Sequence, residues 1–358
     1  MGRNLTKGSD VLRDILLLQQ RIVPEIMELL EKRYTILRTI YFNQPVGRRA
    51  LATQLSLGER TVRTEVNFLK NQGLVDIDIM GMSVTDEGIM IIDTLKEFIH
   101  ELKGLSSIEN IIKQRLDFEK VIIVPGDVDY DPALLKEIGR VGANYVKNVI
   151  SDNQIIAVTG GSSVGELVNN IPKITGKNNV LVVPARGGMG RIVETQANTI
   201  TAILANKLNA GYRLLHVPDV MSRETLDTIL NEPGIKEIIE SIDNTNLLIY
   251  GIGRADEMLK RRGISDDGMN KLIEKGAVAE AFGYYFDKDG NVIERTSTIG
   301  VRFENVKDIE RIVAIAGGKG KAQAIIATKT YNKNSVLITD EGAAREILRL
   351  LDIDDCKK

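Results

Sequence analysis

Ile155-Ile-Ala-Val-Thr-Gly-Gly-Ser-Ser-Val-Gly165 decides the architecture of this chain. A short apolar run rich in β-branched residues enters a glycine loop, and a helical stretch follows. Such a loop points backbone N–H groups at an anion, with the positive end of the helix dipole behind them. Thr159, Ser162 and Ser163 offer hydroxyls, while Gly160 and Gly161 permit unusual φ values and close backbone approach. The same design returns in Ile312-Val-Ala-Ile-Ala-Gly-Gly-Lys-Gly-Lys-Ala322, where Lys319 and Lys321 flank Gly320 and add full positive charge. A Gly-Gly turn alone can be a strand-to-helix bend that holds nothing; two loops, one of them basic, favour phosphate. Neither loop fits a Walker A sequence and the six-position dinucleotide fingerprint is absent, so a nucleotide is disfavoured.

Working outward, the whole region from Lys120 has one texture. Apolar runs at 121–124, 155–158, 180–183, 212–217, 246–250, 312–315 and 335–338 alternate with helical stretches such as 131–150, 163–171 and 193–209. Continuous apolar strands between helices predict an α/β domain with a doubly wound, mostly parallel sheet covered on both faces. Ligands on such sheets bind at the carboxyl ends of strands, where both glycine loops fall. Other polar groups follow strand ends too. Arg186 lies in Pro184-Ala-Arg-Gly-Gly, ahead of a helix bearing Glu194, Gln196 and Asn198; the Arg261-Arg262 pair follows Gly251-Ile-Gly-Arg. Glu280, in Ala279-Glu-Ala-Phe-Gly-Tyr-Tyr-Phe, is the expected acceptor for sugar hydroxyls, and for Arg186 and Glu280 an interior salt bridge is the competing reading.

Upstream the pattern differs. Residues 9–32 read as helical, with Ser9 or Asp10 as N-cap and Pro24 expected to kink or divide the stretch. Arg48 to Lys70 fits a helix-turn-helix. Ala50, Leu51 and Leu55 form the apolar side of its first helix, Leu57-Gly58 supplies the turn, and Val62, Val66 and Leu69 point inward from the second. That leaves Arg48, Arg60, Thr61, Arg63, Thr64 and Asn67 to face DNA, arginines toward guanine or phosphate and Asn67 toward adenine. Residues 73–84, with Gly81 near the middle, read as the hairpin of a winged helix, and 85–103 and 106–117 as further helices. The expected organisation is a DNA-binding domain over 1–103, a linking segment over 104–117 and an effector-binding domain over 118–358. From Tyr34 to Val75 six Lys/Arg face two acids, a local excess of +4 in a chain whose net charge is −2.

Composition narrows the remaining classes. At 43% hydrophobic and 27% charged, the chain of 358 residues can bury proper cores. Its single cysteine, Cys356, permits no internal disulfide and no cysteine-based zinc site, and two histidines (His100, His216) argue against a metal centre. No signal-peptide pattern and no membrane-length apolar run occur, so a cytoplasmic protein without membrane partners or bound cofactor is expected.

Beyond these readings, the chain resembles the central glycolytic genes regulators, a family of the SorC/DeoR group of sugar-phosphate-responsive transcriptional repressors. The likeness is carried by Val158-Thr-Gly-Gly, Val183-Pro-Ala-Arg-Gly-Gly, Gln196-Ala-Asn-Thr-Ile, Tyr212-Arg-Leu-Leu, Glu280-Ala-Phe-Gly-Tyr-Tyr-Phe, Ala314-Ile-Ala-Gly-Gly and Thr339-Asp-Glu-Gly-Ala-Ala, and covers nearly all of 118–350. It implies repression of glycolytic genes, relieved by fructose-1,6-bisphosphate, and an effector domain similar in fold to glucosamine-6-phosphate deaminase and sugar-phosphate isomerases. It also implies that Thr159, Gly160, Gly161, Ser162 and Ser163 hold one phosphate, that Arg261 and Lys321 hold the other, and that Arg186, Gln196 and Glu280 lie near the sugar. Ser162-Ser163 stands where the family pattern has threonines, and Lys319-Gly320 replaces small polar residues, adding a positive charge beside the expected site.

Two classes of function follow. The first is a repressor, a homodimer or homotetramer on a symmetric operator, whose DNA affinity or assembly changes when a sugar bisphosphate binds. The second is a sugar-phosphate isomerase or deaminase with a regulatory head. It needs a general base and usually a second acid–base group; Glu280 is available for one, but neither histidine falls in a glycine-loop motif. No catalytic set and no metal ligands are assigned.

Overall fold

The structure is a computed structural model that describes residues 22–188, 192–218, 221–328 and 332–353. The start of the expected 9–32 helix, with Ser9 and Asp10, and Cys356 lie outside the described residues. The chain divides into two compact units, Met1–Ser107 with Tyr130–Leu134, and Ile108–Asp129 with Leu135–Lys358.

In the first unit a helix begins at Pro24, whose missing N–H costs nothing at a helix start, and runs to Asn43. It therefore extends well past the expected end at 32. Tyr34, Ile36, Leu37 and Ile40 are buried and carry it onward, and Pro45 stops it by forcing Gln44 into an extended conformation. Helices Arg48–Gln54 and Glu59–Asn71 form the helix-turn-helix. Val62, Val66 and Leu69 are fully or nearly fully buried, each stabilising by roughly 1.5–3 kcal/mol relative to exposure. Leu57 and Gly58 lie in the turn as expected, with Ser56 (φ 52°) as its left-handed residue and Gly58 in ordinary extended angles. One local expectation needs correcting, since Ala50 is exposed and its place in the core is taken by Ala52. Strands β1 (Val75–Ile77) and β2 (Met82–Val84) pair antiparallel as the wing. Its tip is closed by Asp78, whose carboxylate accepts from the N–H groups of Met80 and Gly81. Thr85 then caps the helix Asp86–Leu102 by accepting from Gly88 N–H.

The second unit opens with the helix Leu105–Leu116, most of which belongs to it. Its strands are β3 (Lys120–Val124), β4 (Ile155–Val158), β5 (Leu181–Pro184), β6 (Gly211–Tyr212), β7 (Leu247–Gly251), β8 (Gly253–Arg254), β9 (Ala279–Ala281), β10 (Tyr284–Phe286), β11 (Val292–Arg295), β12 (Arg311–Ile315) and β13 (Ser335–Asp340). Seven of them form one wholly parallel sheet in the order β3-β13-β12-β7-β4-β5-β6. All seven expected apolar runs contribute, although β6 is only two residues long. Central strands β7, β12 and β13 are buried along nearly their whole length, which is why they read as unbroken apolar runs rather than alternating ones. Strand order reverses between β4 and β7: β5 and β6 lie on one side of β4, and the chain then returns to place β7 on the other. A ligand crevice opens at such a switch point.

A second, antiparallel sheet in the order β11-β10-β9-β8 was not legible in the sequence. Its strands are two to four residues long, and its central hairpin turns on Phe282 (φ 38°) and Gly283 (φ 96°). Both central residues of that turn need positive φ, a place usually signalled by Asn-Gly or Asp-Gly. Phenylalanine there gives no warning.

Candidate functional site

A cavity of about 280 Å³ sits over the carboxyl ends of β4, β5, β7 and β12. All ten residues expected to bind effector line it: the loop Thr159–Ser163, then Arg186, Gln196, Arg261, Glu280 and Lys321.

The first glycine loop is shaped by close packing. A Cβ on Gly160 would stand 2.6 Å from the Thr195 carbonyl oxygen, so only glycine fits. Gly161 adopts φ 117° and gives its own N–H to that same carbonyl at 2.8 Å. Thr159 is buried, and its hydroxyl accepts from Gly251 N–H at 3.2 Å, tying the loop to the end of β7. Helix Ser162–Asn170 then starts with no side chain capping it, so its first-turn N–H groups face the cavity mouth.

Arg186 and Glu280 do form the interior salt bridge, at 2.7 Å, and both still line the cavity. The sequence reading left out the third member. Arg262 donates to the same Glu280 Oε1 at 2.9 Å and also to the Tyr285 hydroxyl, and Gly283 N–H adds a fourth group at 2.7 Å. Burial works against the Glu280 charge, but the two guanidiniums and the Gly283 N–H outweigh it and hold the carboxyl below its usual range. A Glu280 carboxylate so engaged presents its remaining oxygen as an acceptor rather than as a free base. The signal that would have found Arg262 is its place beside Arg261: consecutive residues near a helix end point in different directions, so one faces the cavity and the other the antiparallel sheet.

At the other end stand Arg261 and Lys321. Lys321 Nζ donates to the Ile252 carbonyl at 3.2 Å and lies 3.7 Å from Glu257, which also lines the cavity. Burial, helped by nearby Arg261 and Arg254, holds this ammonium below its usual pKa, and Glu257 only partly offsets it. Lys319 does not line the cavity. Its ammonium lies 3.6 Å from Glu346, so the extra positive charge is directed to the helix Glu341–Leu350 and not to the expected site. The second loop differs in a further way that the sequence did not foretell. Its N–H groups already have acceptors: Gly318 donates to Asp340 Oδ2 at 2.8 Å, Lys319 to Asp127 Oδ1 at 3.4 Å and Gly320 to Asp129 Oδ2 at 2.8 Å. Aspartates at alternate positions just after β3, in Pro125-Gly-Asp-Val-Asp129, were the available clue.

In the first unit Arg48, Arg60, Thr61, Arg63, Thr64 and Asn67 are all exposed. The Thr64 hydroxyl donates to the Arg60 carbonyl on its own helix. Behind this face Glu65 is buried and paired with Arg33 (2.8 Å) and Lys32 (3.2 Å), while the Arg33 guanidinium lies 3.5 Å over the Phe68 ring. Burial raises and these cations lower the Glu65 pKa; the cations prevail. The helix Glu59–Asn71 is thus locked at a fixed rotation that keeps its basic face outward. Among the described residues no group of His, Cys, Asp and Glu could hold a metal ion, and no helix is long and apolar enough to cross a membrane.

A two-headed arrangement of this kind, a basic winged helix in one unit and a switch-point cavity in the other, has matches among known families. The Sugar-bind family, "Putative sugar-binding domain", matches residues 100–349, and the CggR N-terminal DNA binding domain matches 29–99. The central glycolytic genes regulator of Bacillus subtilis (strain 168) is 40% identical over 331 residues, 92% of this chain and 97% of that protein. The chain belongs to the central glycolytic genes regulator family. Among solved structures, a SorC family transcriptional regulator from Enterococcus faecalis is 42% identical with a TM-score of 0.63, over 68% of this chain and 99% of its own. The full-length sorbitol operon regulator SorC from Klebsiella pneumoniae, 20% identical, shares the fold over 88% of this chain and 98% of its own, with a TM-score of 0.64. Central glycolytic genes regulators thus join a DNA-binding domain to a sugar-binding domain in one chain, the division found here.

Proposed function

We propose that this protein is a transcriptional repressor of glycolytic genes whose operator affinity or assembly is altered by fructose-1,6-bisphosphate. The observation that carries the effector is the cavity itself: an uncapped helix N-terminus with hydroxyls and N–H groups at one end, and Lys321 with Arg261 at the other. One phosphate suits each end, and Glu280 Oε2 and Gln196 suit the hydroxyls between. Operator contacts come from the exposed face Arg60, Thr61, Arg63, Thr64 and Asn67, with Arg48 on the backbone. A symmetric operator asks for paired heads, hence a homodimer or homotetramer. A Glu280 kept ionised by two arginines is a weak general base, which favours a sensor over an isomerase or deaminase.

Calorimetric titration with fructose-1,6-bisphosphate, against fructose-6-phosphate and inorganic phosphate, tests the effector. Saturation by the bisphosphate much tighter than by either control is expected; equal binding of all three would end the bisphosphate reading. On the DNA side, Arg63→Ala is expected to weaken operator binding by about 1–3 kcal/mol while leaving effector affinity within twofold.

A further inference from the structure

The three carboxylates on the second glycine loop are not equivalent. Asp340 is fully buried, and its other oxygen caps the helix Glu341–Leu350 through Ala343 N–H, so it is part of the framework. Asp127 meets Lys319 N–H only at 3.4 Å and mainly accepts from Asp129 N–H at 2.9 Å. Asp129 is exposed, lines the cavity, and takes Gly320 N–H at 2.8 Å; a Cβ on Gly318 would collide with its carboxylate. It lies across the mouth of the loop, at the end of the cavity that also holds Lys321 and Arg261. The other nearby guanidinium, Arg254, is held by Asp256 through two hydrogen bonds of 3.1 and 2.7 Å.

We propose that Asp129 is a built-in competitor for the ligand's second anionic group and so sets the concentration of bisphosphate at which the site fills. This rests on the bisphosphate reading above and says how the affinity for the second phosphate is tuned. A sugar with one phosphate fills the first glycine loop and leaves the Asp129 carboxylate on Gly320. A second phosphate replaces it. A carboxylate carries one negative charge, whereas a phosphate monoester carries close to two at neutral pH and three strong acceptor oxygens, so it gains more from Lys321, Arg261 and the vacated N–H. Asp129 and Glu257 together put negative charge at this end, so a weaker anion gains too little to displace the carboxylate.

The test is calorimetry on the full chain, comparing wild type with Asp129→Asn. Asparagine keeps the size and an acceptor for Gly320 N–H but removes the charge. Fructose-1,6-bisphosphate is expected to bind the variant roughly tenfold more tightly, with fructose-6-phosphate changed less than threefold. Asp129→Ala, with an unchanged melting profile as the control for folding, is expected to shift the same way. Unchanged or weaker bisphosphate binding in both variants, or an equal gain for both sugars, overturns the proposal while leaving the effector reading intact. If none of the three proteins binds the bisphosphate but the variants acquire affinity for inorganic phosphate, the competitor role stands and the effector reading falls. If no anion binds any of the three proteins, both fall.

Discussion

At the end of β4 a glycine loop gives one N–H to the Thr195 carbonyl and leads into a helix that no side chain caps. At the end of β12 an almost identical glycine loop gives three successive N–H groups to the carboxylates of Asp340, Asp127 and Asp129. Both have the residues of an anion cradle, and only the first is open. A glycine pattern therefore specifies a supply of N–H donors, not what satisfies them. The acceptors at the second loop come from about 190 residues earlier and about 20 residues later in the chain, brought there by β3 and β13 on the same sheet edge.

The largest test of this difference is the same substitution made in each loop. Gly160→Ala drives a methyl group into a backbone carbonyl that cannot step aside. Fructose-1,6-bisphosphate binding is expected to fall more than 100-fold, with a stability loss of about 2–3 kcal/mol in thermal melting. Gly318→Ala meets a movable side-chain tip, Asp129, and a φ of 99°; a stability cost of about 1–2 kcal/mol with no comparable loss of affinity is expected. Equal damage at both sites would mean that the loops are equally rigid.

Next, Lys321→Ala should weaken bisphosphate binding about 10–100-fold and fructose-6-phosphate binding less than threefold, because only the second phosphate meets that ammonium. Equal losses for both ligands would place the single phosphate at the β12 end and reverse the assignment of the two loops.

The pH dependence of unfolding should separate the two ends as well. Burial pushes the Asp340 carboxyl up from 3.8 to about 6, against the hydrogen bonds it accepts. Such a group binds its proton more tightly when folded, so the stability it confers is fully present below 3.8 and lost as pH rises through about 6. Glu280 behaves oppositely. Held below 4.5 by its arginines, it contributes stability above that pH, lost as pH falls through its lower folded value. Asp340→Asn is expected to remove a decline of about 2 kcal/mol between pH 4 and 6 while leaving the fall at lower pH unchanged. A decline that persists in this variant would locate it in another carboxyl.

The smallest effect concerns Ser163. Loss of one hydroxyl in Ser163→Ala should cost about 0.5–1.5 kcal/mol of binding, for the bisphosphate and fructose-6-phosphate alike, since both use the first loop.

How much was legible differs between the sheets for the same kind of reason. The parallel strands announce themselves because burial on both faces demands unbroken apolar runs, and their helices follow at regular spacing. β8 to β11 carry Arg254, Glu280 and Arg295 within short strands. Their hairpin turns on Phe282, which looks like a core residue and is one (3% exposed), yet takes a conformation expected of glycine or asparagine. Gly160, by contrast, was legible as a required glycine, although the partner that requires it, the Thr195 carbonyl, was not.

What the sequence by itself determined is everything set by local composition and period: the parallel α/β sheet, the winged helix with its exposed basic face and the two glycine loops at strand ends. The ten cavity residues were named as a set only through the family resemblance. What only the tertiary structure decided is which charges meet there. Arg262 joins Arg186 on Glu280, Lys319 turns away to Glu346, and Asp129 covers Gly320. Residue type and spacing fix how a segment folds and which groups it offers. Pairing energy falls off over a few ångströms, so partners far apart in sequence are settled only when the strands between them have taken their places.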